Sequence, residues 1–163
     1  MDRRKVLAFG VGGLGLLLAV FSFFSEPSRE EIVAARVKDF LEVFSHSEST
    51  GNPVFYGGAL NGQLKELMVE QPRVKVDGTG LSGTIERRAL AMTAARSLGF
   101  YQNVDFSVSG LRVSLEPVVE ATGTVTLTAV SSAELRRESR DVRFVFDSDT
   151  LLIREIEAWE PED

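Results

Sequence analysis

The sequence predicts an α+β fold in which about three N-terminal helices pack on a curved, mainly antiparallel sheet, behind a single transmembrane helix. Three observations support this prediction. A long uncharged segment comes first, apolar residues then recur at helical spacing, and from Phe100 onward they recur at every second position. Long strands joined by short turns form an antiparallel sheet, and helices that precede such a sheet cover one of its faces.

The uncharged segment comprises residues 6–24. As a helix, these 19 residues would span roughly 28 Å, close to the roughly 30 Å hydrocarbon core of a bilayer. Gly10, Gly12 and Gly15 have the G-x-G-x-x-G spacing of a dinucleotide-binding loop. Such a loop requires a second strand and an acidic residue that binds the ribose, and neither follows here. We therefore predict a membrane anchor and no cofactor.

The charges around the anchor predict its orientation. Basic residues occupy positions 3–5, whereas Glu26 and Glu30 follow the apolar run, and basic flanks stay in the cytoplasm. Residues 1–5 are then a cytoplasmic leader and residues 25–163 an exported domain. The end of the run lacks the small residues that signal peptidase prefers, which favours an uncleaved anchor. The predicted location is the inner membrane, with the domain in the periplasm. The arginine pair is also typical of twin-arginine export, which leads to the same compartment.

The composition of the exported part excludes several functions. The whole chain carries a net charge of −6 and the leader carries +2, so the exported part carries −8. Nucleic acid is therefore not an expected partner. The chain has no cysteine, which excludes thiol nucleophiles, thiolate metal sites and disulfides. The single histidine, His46, follows the first predicted helix. It is more typical of a surface turn than of a catalytic or metal site, so no metal is expected.

The helices are predicted from capping signals and periodicity. Ser28 and Glu31 form a capping box for a first helix over about 29–45. Its apolar face comprises Val33, Val37, Phe40, Leu41 and Phe44. A turn-rich stretch follows, and a short second helix is predicted within residues 61–71, ended by Pro72. After a short strand in residues 73–80, a third helix is predicted over 84–99. Its inward residues are either Ile85, Ala89, Met92 and Leu98 or Ala91 and Ala95.

The strands are predicted from alternation of apolar and polar residues. One strand alternates over residues 104–115, with Gly110 as a bulge. The next has Val125, Leu127 and Ala129 on one face and threonines on the other. The last two strands, over residues 141–147 and 151–160, meet at a tight turn around Ser148.

The closing segment FVFDSDTLLIREIEAWE, residues 144–160, is similar to the final hairpin of the nuclear transport factor 2-like superfamily. This superfamily includes ketosteroid isomerase and polyketide cyclases. The order of the predicted elements over residues 29–160 also resembles it. The resemblance implies a cone-shaped roll with a pocket between the concave sheet and the helices, and it implies little about chemistry because members include enzymes and inert modules. A cystatin-type roll would look similar without the middle helices.

Four residues are candidates for lining such a pocket. Tyr101 and Asp105 lie near the start of the sheet and suit a hydrogen-bond donor and a base. Arg112 and Arg154 are lone cations in apolar strands, where a charge directed into a pocket would need a partner. The alternatives are a capping aromatic residue, a solvated acid at a strand edge and two outward-facing arginines. The arginine-rich stretch at 134–143 is predicted to be a solvated hairpin tip rather than an anion site.

These observations favour a non-catalytic, membrane-tethered envelope module that binds a protein partner or a small ligand. The alternative is a cofactor-independent isomerase or dehydratase that uses acid–base chemistry. Convergent acidic, tyrosine or arginine side chains in a deep pocket would favour the enzyme. The threonine-rich sheet face also suggests a homodimer.

Overall fold

The computed structural model describes residues 26–47 and 51–161. Its three helices are α1 (Arg29–Phe44), α2 (Pro53–Leu64) and α3 (Arg87–Leu98). Its strands are β1 (Met68–Val76), β2 (Leu81–Thr84), β3 (Asn103–Ser114), β4 (Glu120–Val130), β5 (Leu135–Phe146) and β6 (Ile153–Trp159). None of the helices in these ranges has the length and apolarity to cross a membrane. The predicted anchor, residues 6–24, lies outside the described residues.

All six strands form one sheet in the order β2-β1-β6-β5-β4-β3. The β1–β6 pair is parallel, and every other pair is antiparallel. One face of the sheet, called here the concave face, carries the apolar residues that pack against the helices. The core includes Phe40 and Leu60 from the helices and Phe144 and Ile156 from the sheet. The predicted α+β class is confirmed.

Helix α1 matches its prediction closely. The Ser28 hydroxyl accepts a hydrogen bond from the Glu31 backbone, and the Glu31 carboxylate accepts one from the Ser28 backbone, so the capping box is complete. All five residues of the predicted apolar face are buried. At the other end, His46 forms an isolated antiparallel bridge with Val104, which joins the end of α1 to the start of β3.

The predicted second helix was misplaced. Helix α2 begins at Pro53 after the N-cap Asn52, and it ends at Leu64. The first half of α2, with Gly57 and Gly58, fell in the stretch that resembled a turn, but Gly57 is buried where α2 packs against α3. A Cβ atom there would overlap Met92 Sδ and lie 3.4 Å from Ala95 Cβ. Close helix packing therefore explains a glycine in a helix that intrinsic propensity disfavours.

Pro72 does not end a helix, because it lies inside strand β1. It is fully buried, at a point where the register between β1 and β6 shifts. Proline is tolerated in a strand at such a bulge, since no ladder hydrogen bond is needed from its nitrogen. The predicted short strand is confirmed as the end of β1, and β2, which pairs with it, was not predicted.

Helix α3 is confirmed, with Ala91 and Ala95 as its fully buried residues. In the sheet, Gly110 has a φ angle of 62° and lies where the pairing of β3 with β4 shifts register, so the predicted bulge is confirmed. A further bulge lies at Arg154, where β6 has one residue more than β5. Because of this bulge, Ile153 and Ile156 are both buried.

Candidate functional site

A small pocket lies on the concave face, beyond the part of the sheet that the helices cover. Its volume is about 230 Å³. Its apolar lining comprises Val76, Phe106, Val125, Leu127, Val142 and Ala158. Glu138 and Arg140 are its charged residues. The site is therefore an apolar floor with one carboxylate and one guanidinium, on strands β1, β3, β4, β5 and β6.

The alternation of β5 explains how two charged side chains reach the concave face. Val142 and Phe144 are buried on that face, and residues two apart in a strand share a face. Arg140 and Glu138 continue the same row, and they pair across the sheet with Val125 and Leu127. The arginine-rich stretch is thus the outer half of a long strand, and its prediction as a hairpin tip was wrong. Extending the period-2 pattern back from Phe144 would have found both residues.

Three charged side chains of β5 form one network at the pocket. Arg140 donates to Glu138 Oε1 from Nε at 3.0 Å and from Nη2 at 2.9 Å, and Arg136 Nη2 donates to Oε2 at 2.8 Å. Arg140 Nη1 also donates to the backbone oxygen of Asp77 at 2.8 Å. The hydrogen bonds from Arg136 and Arg140 hold the pKa of Glu138 below its usual range. Glu138 is therefore a carboxylate at neutral pH, in a fixed position.

His46 is half-buried and not a freely solvated turn residue. Its Nε2 lies 3.2 Å from the backbone oxygen of Tyr101, and its Nδ1 lies 3.3 Å from the Tyr56 hydroxyl. The Tyr56 ring meets the imidazole edge-to-face at 5.6 Å, and burial raises the pKa of Tyr56. These contacts connect α1, α2 and the start of β3, which is a structural role.

Tyr101 and Asp105 do not line the concave pocket. The Tyr101 hydroxyl donates to Glu134 Oε1 at 3.0 Å, at the β4–β5 hairpin. Asp105 is exposed and pairs with Thr128. Its neighbour Phe106 is the β3 residue that forms part of the pocket floor.

Arg112 and Arg154 are also outside this pocket and are separated from each other. Arg154 is the exposed bulge residue of β6, and two strands lie between β6 and β3. Arg112 lines a different groove, on the outer face of the sheet, together with Asp141 and Trp159. Within residues 26–47 and 51–161, no group of three or more His, Cys, Asp or Glu side chains is placed to hold a metal ion.

Comparison with known proteins identifies the fold. No family model and no curated protein sequence matches the chain. PrhC from Penicillium brasilianum is 13% identical, with a TM-score of 0.61, over 80% of this chain and 81% of its own. The pinacolase BvnE from Penicillium brevicompactum is 10% identical, with a TM-score of 0.59, over 83% and 87%. A nuclear transport factor 2-like superfamily protein from Salmonella enterica is 10% identical, with a TM-score of 0.58, over 82% and 92%.

At these identities the similarity concerns the fold. The helices α2 and α3 are the elements that a cystatin-type roll would lack, and both are present. The structure and its neighbours agree with the resemblance found in the closing hairpin. Residues 29–47 and 51–159 of this chain form an α+β roll with the nuclear transport factor 2-like fold.

Proposed function

We propose that the concave pocket binds a small, mainly apolar molecule and that Glu138 and Arg140 act on its polar group. The corresponding function is a cofactor-independent enzyme of the isomerase or dehydratase kind. The observation that supports it is the placement of one carboxylate and one guanidinium at the edge of an otherwise apolar pocket. An apolar site with few fixed polar groups is the usual form of a small-molecule site.

The chemistry follows from the charge states of the two side chains. Because its pKa is lowered, Glu138 is ionised at neutral pH and can accept a proton but not donate one. Arg140 stays charged, and its N–H groups that Glu138 and Asp77 leave free can donate to an oxygen that becomes negative. A carboxylate with a lowered pKa is a weak base, so the substrate needs an acidic C–H bond. A carbon next to a carbonyl group fits this requirement.

The neighbouring structures support an enzyme over an inert module. One protein of the same fold is named a pinacolase. Because the sequence identity is low, no catalytic residue of the pinacolase is assigned to this chain. The pinacolase is nevertheless a precedent for an enzyme with this fold.

The second candidate is a non-catalytic module that holds a ligand or a protein partner. It is favoured by the hydrogen bonds from arginine to both oxygens of Glu138, which reduce the basicity of that carboxylate. In either case we propose that residues 6–24 anchor the domain to the membrane, with the domain in the periplasm. We also propose a homodimer through Thr126 and Thr128 on the outer face.

A proton-exchange experiment distinguishes the enzyme from the non-catalytic module. The full-length protein is mixed in D₂O with a small β,γ-unsaturated cyclic ketone, and NMR follows exchange and double-bond migration. We expect a rate above that of buffer which is lost in Glu138→Gln and retained in Glu134→Gln, a variant outside the pocket. The rate should stay constant around neutral pH and fall as acid protonates Glu138, below its ordinary pKa of 4.5.

Saturable binding of the ketone without exchange would favour the inert module over the enzyme. If the ketone neither binds nor exchanges, the assignment of the concave pocket as a site for such molecules is contradicted.

A further inference from the structure

A second concavity lies on the outer face of the sheet and is independent of the proposed function. Its volume is about 540 Å³, within the range of small-molecule sites. Its polar and aromatic lining comprises Arg112, Thr122, Thr124, Asp141 and Trp159. We call it the outer groove. It contains the one tryptophan of the chain and one of the two lone strand arginines that the sequence singled out.

Strand pairing brings these side chains together. Asp141 pairs with Trp159 on one side and with Thr124 on the other, so the three share the outer face. The Thr124 hydroxyl donates to Asp141 Oδ1 at 2.7 Å, which fixes the carboxylate. Arg112 pairs with Thr122 directly after the β3 bulge, so it stands on the same face.

The bulge depends on two glycines. Gly110 has a φ angle of 62°, which disfavours other residues. Opposite it, a Cβ atom on Gly123 would lie 3.0 Å from the backbone oxygen of Ser109. These two positions let β3 bend close to β4, and the bend forms one end of the outer groove.

Arg112 and Asp141 line one groove with opposite charges, but no ion pair or side-chain hydrogen bond of Arg112 is formed within the described residues. A ligand that binds both side chains must accept a hydrogen bond from the guanidinium and donate one to the carboxylate. A hydroxyl group does both. The indole ring of Trp159 is half-buried and offers an apolar surface beside these polar groups.

We propose that the outer groove binds a neutral saccharide. The C–H face of a pyranose ring packs on Trp159, and its edge hydroxyls accept from Arg112 and donate to Asp141. A free monosaccharide and the end of a glycan chain share this chemistry.

The intrinsic fluorescence of Trp159 tests the proposal without a label, since it is the single tryptophan. The full-length protein, in a zwitterionic detergent without a sugar headgroup, is titrated with glucose, cellotriose and glucuronate. We expect a saturable emission change with glucose or cellotriose, and an affinity for these neutral sugars that is no lower than the affinity for glucuronate. Tighter binding of cellotriose indicates a glycan chain, and equal binding indicates a free monosaccharide.

Three variants complete the test, each first checked for a cooperative thermal melt. Arg112→Gln and Asp141→Asn should weaken binding about tenfold or more, whereas Arg154→Gln, an exposed arginine outside the groove, should bind as the wild type does. Absence of any saturable change, tighter binding of glucuronate, or unaltered binding by both groove variants would overturn the proposal. An emission change that depends on protein concentration and not on sugar concentration would indicate that the groove is a self-association surface, and this result would also overturn the saccharide proposal.

Discussion

Ile156 and Trp159, three residues apart on β6, lie on opposite faces of the sheet. Ile156 pairs with Phe144 and Val74 on the concave face and is 9% exposed. Trp159 pairs with Asp141 on the outer face and is half-buried. The two largest apolar side chains in the second half of β6 therefore have different roles, one in the core and one at the surface.

Substitutions at these two positions should differ strongly in their effect on stability. Ile156→Asp places an unpaired charge in the core, a cost comparable to the typical total stability of about 5–15 kcal/mol, so we expect an unfolded domain. Trp159→Ala should cost about 1–3 kcal/mol and leave a folded protein. Circular dichroism melts measure both. A cooperative melt for Ile156→Asp beside an unfolded Trp159→Ala would mean that the faces are reversed.

Adjacent glycines in α2 should respond in opposite directions to alanine. Gly57→Ala forces a methyl group onto Met92, and overpacking of this kind costs about 1–3 kcal/mol. At Gly58 an added Cβ meets nothing within 4 Å, so Gly58→Ala should gain about 0.5–1 kcal/mol from helix propensity. Urea titrations of both variants give the two free energies of unfolding. A gain in both would contradict the close α2–α3 contact.

Acid should weaken the β5–β6 turn through Asp147. Its carboxylate accepts from the Thr150 backbone at 2.9 Å, the Thr150 hydroxyl at 2.9 Å and the Asp149 backbone at 3.1 Å. These bonds, chiefly that of the Thr150 backbone, lower the pKa of Asp147 from 3.8. A lowered pKa contributes stability above the ordinary value, and this contribution is lost as pH falls through the lowered one.

We therefore expect Asp147→Asn to be less stable than the wild type at neutral pH, with a difference that shrinks in acid below about pH 4. Thermal melts from neutral to acidic pH measure it. Asp149→Asn is the matched control, because its carboxylate contacts Ser148 at 3.5 Å and lacks that set of bonds. A difference independent of pH would show that the ionised form of Asp147 is not what matters.

The anchor predicted from residues 6–24 is tested by topology. Expressed in a Gram-negative host, the chain should fractionate with the inner membrane, and protease added to spheroplasts should digest the domain. Protection of the domain, or a mature N-terminus near Ser25, would contradict an uncleaved anchor with its domain outside the cytoplasm.

Local signals in the sequence were sufficient for α1 and for the strand bulge. The capping box at Ser28 and the apolar spacing after it are short-range features, and so is Gly110 between two alternating runs. Helix α2 was misplaced in part because one of its glycines, Gly57, has a tertiary cause. Gly57 fits against Met92 on α3, a contact that no local pattern contains.

The candidate site was harder to predict than the fold, because it too depends on contacts between residues that are distant in the sequence. Glu138 and Arg140 lie among residues of both charges, which made the segment resemble a solvated turn. Their location on the concave face depends on β5 continuing for several residues beyond its apolar half, paired with Val125 and Leu127. Asp105 was chosen because it lies near the start of the sheet. Side chains alternate between the two faces along β3, so Asp105 lies on the face opposite the pocket and Phe106 lines the pocket instead.

At the start of α1, the Arg29 guanidinium donates a hydrogen bond to the backbone oxygen of Ser148. The first turn of α1 therefore lies beside the β5–β6 turn, whereas His46, two residues after α1 ends, bridges to Val104 near the β4–β5 hairpin. The 16 residues of α1 extend about 24 Å between these ends. The concave pocket lies toward the hairpin end. A surface, bead or fusion partner coupled ahead of Glu26 would therefore sit at the far end of the domain and leave the pocket accessible to solutes.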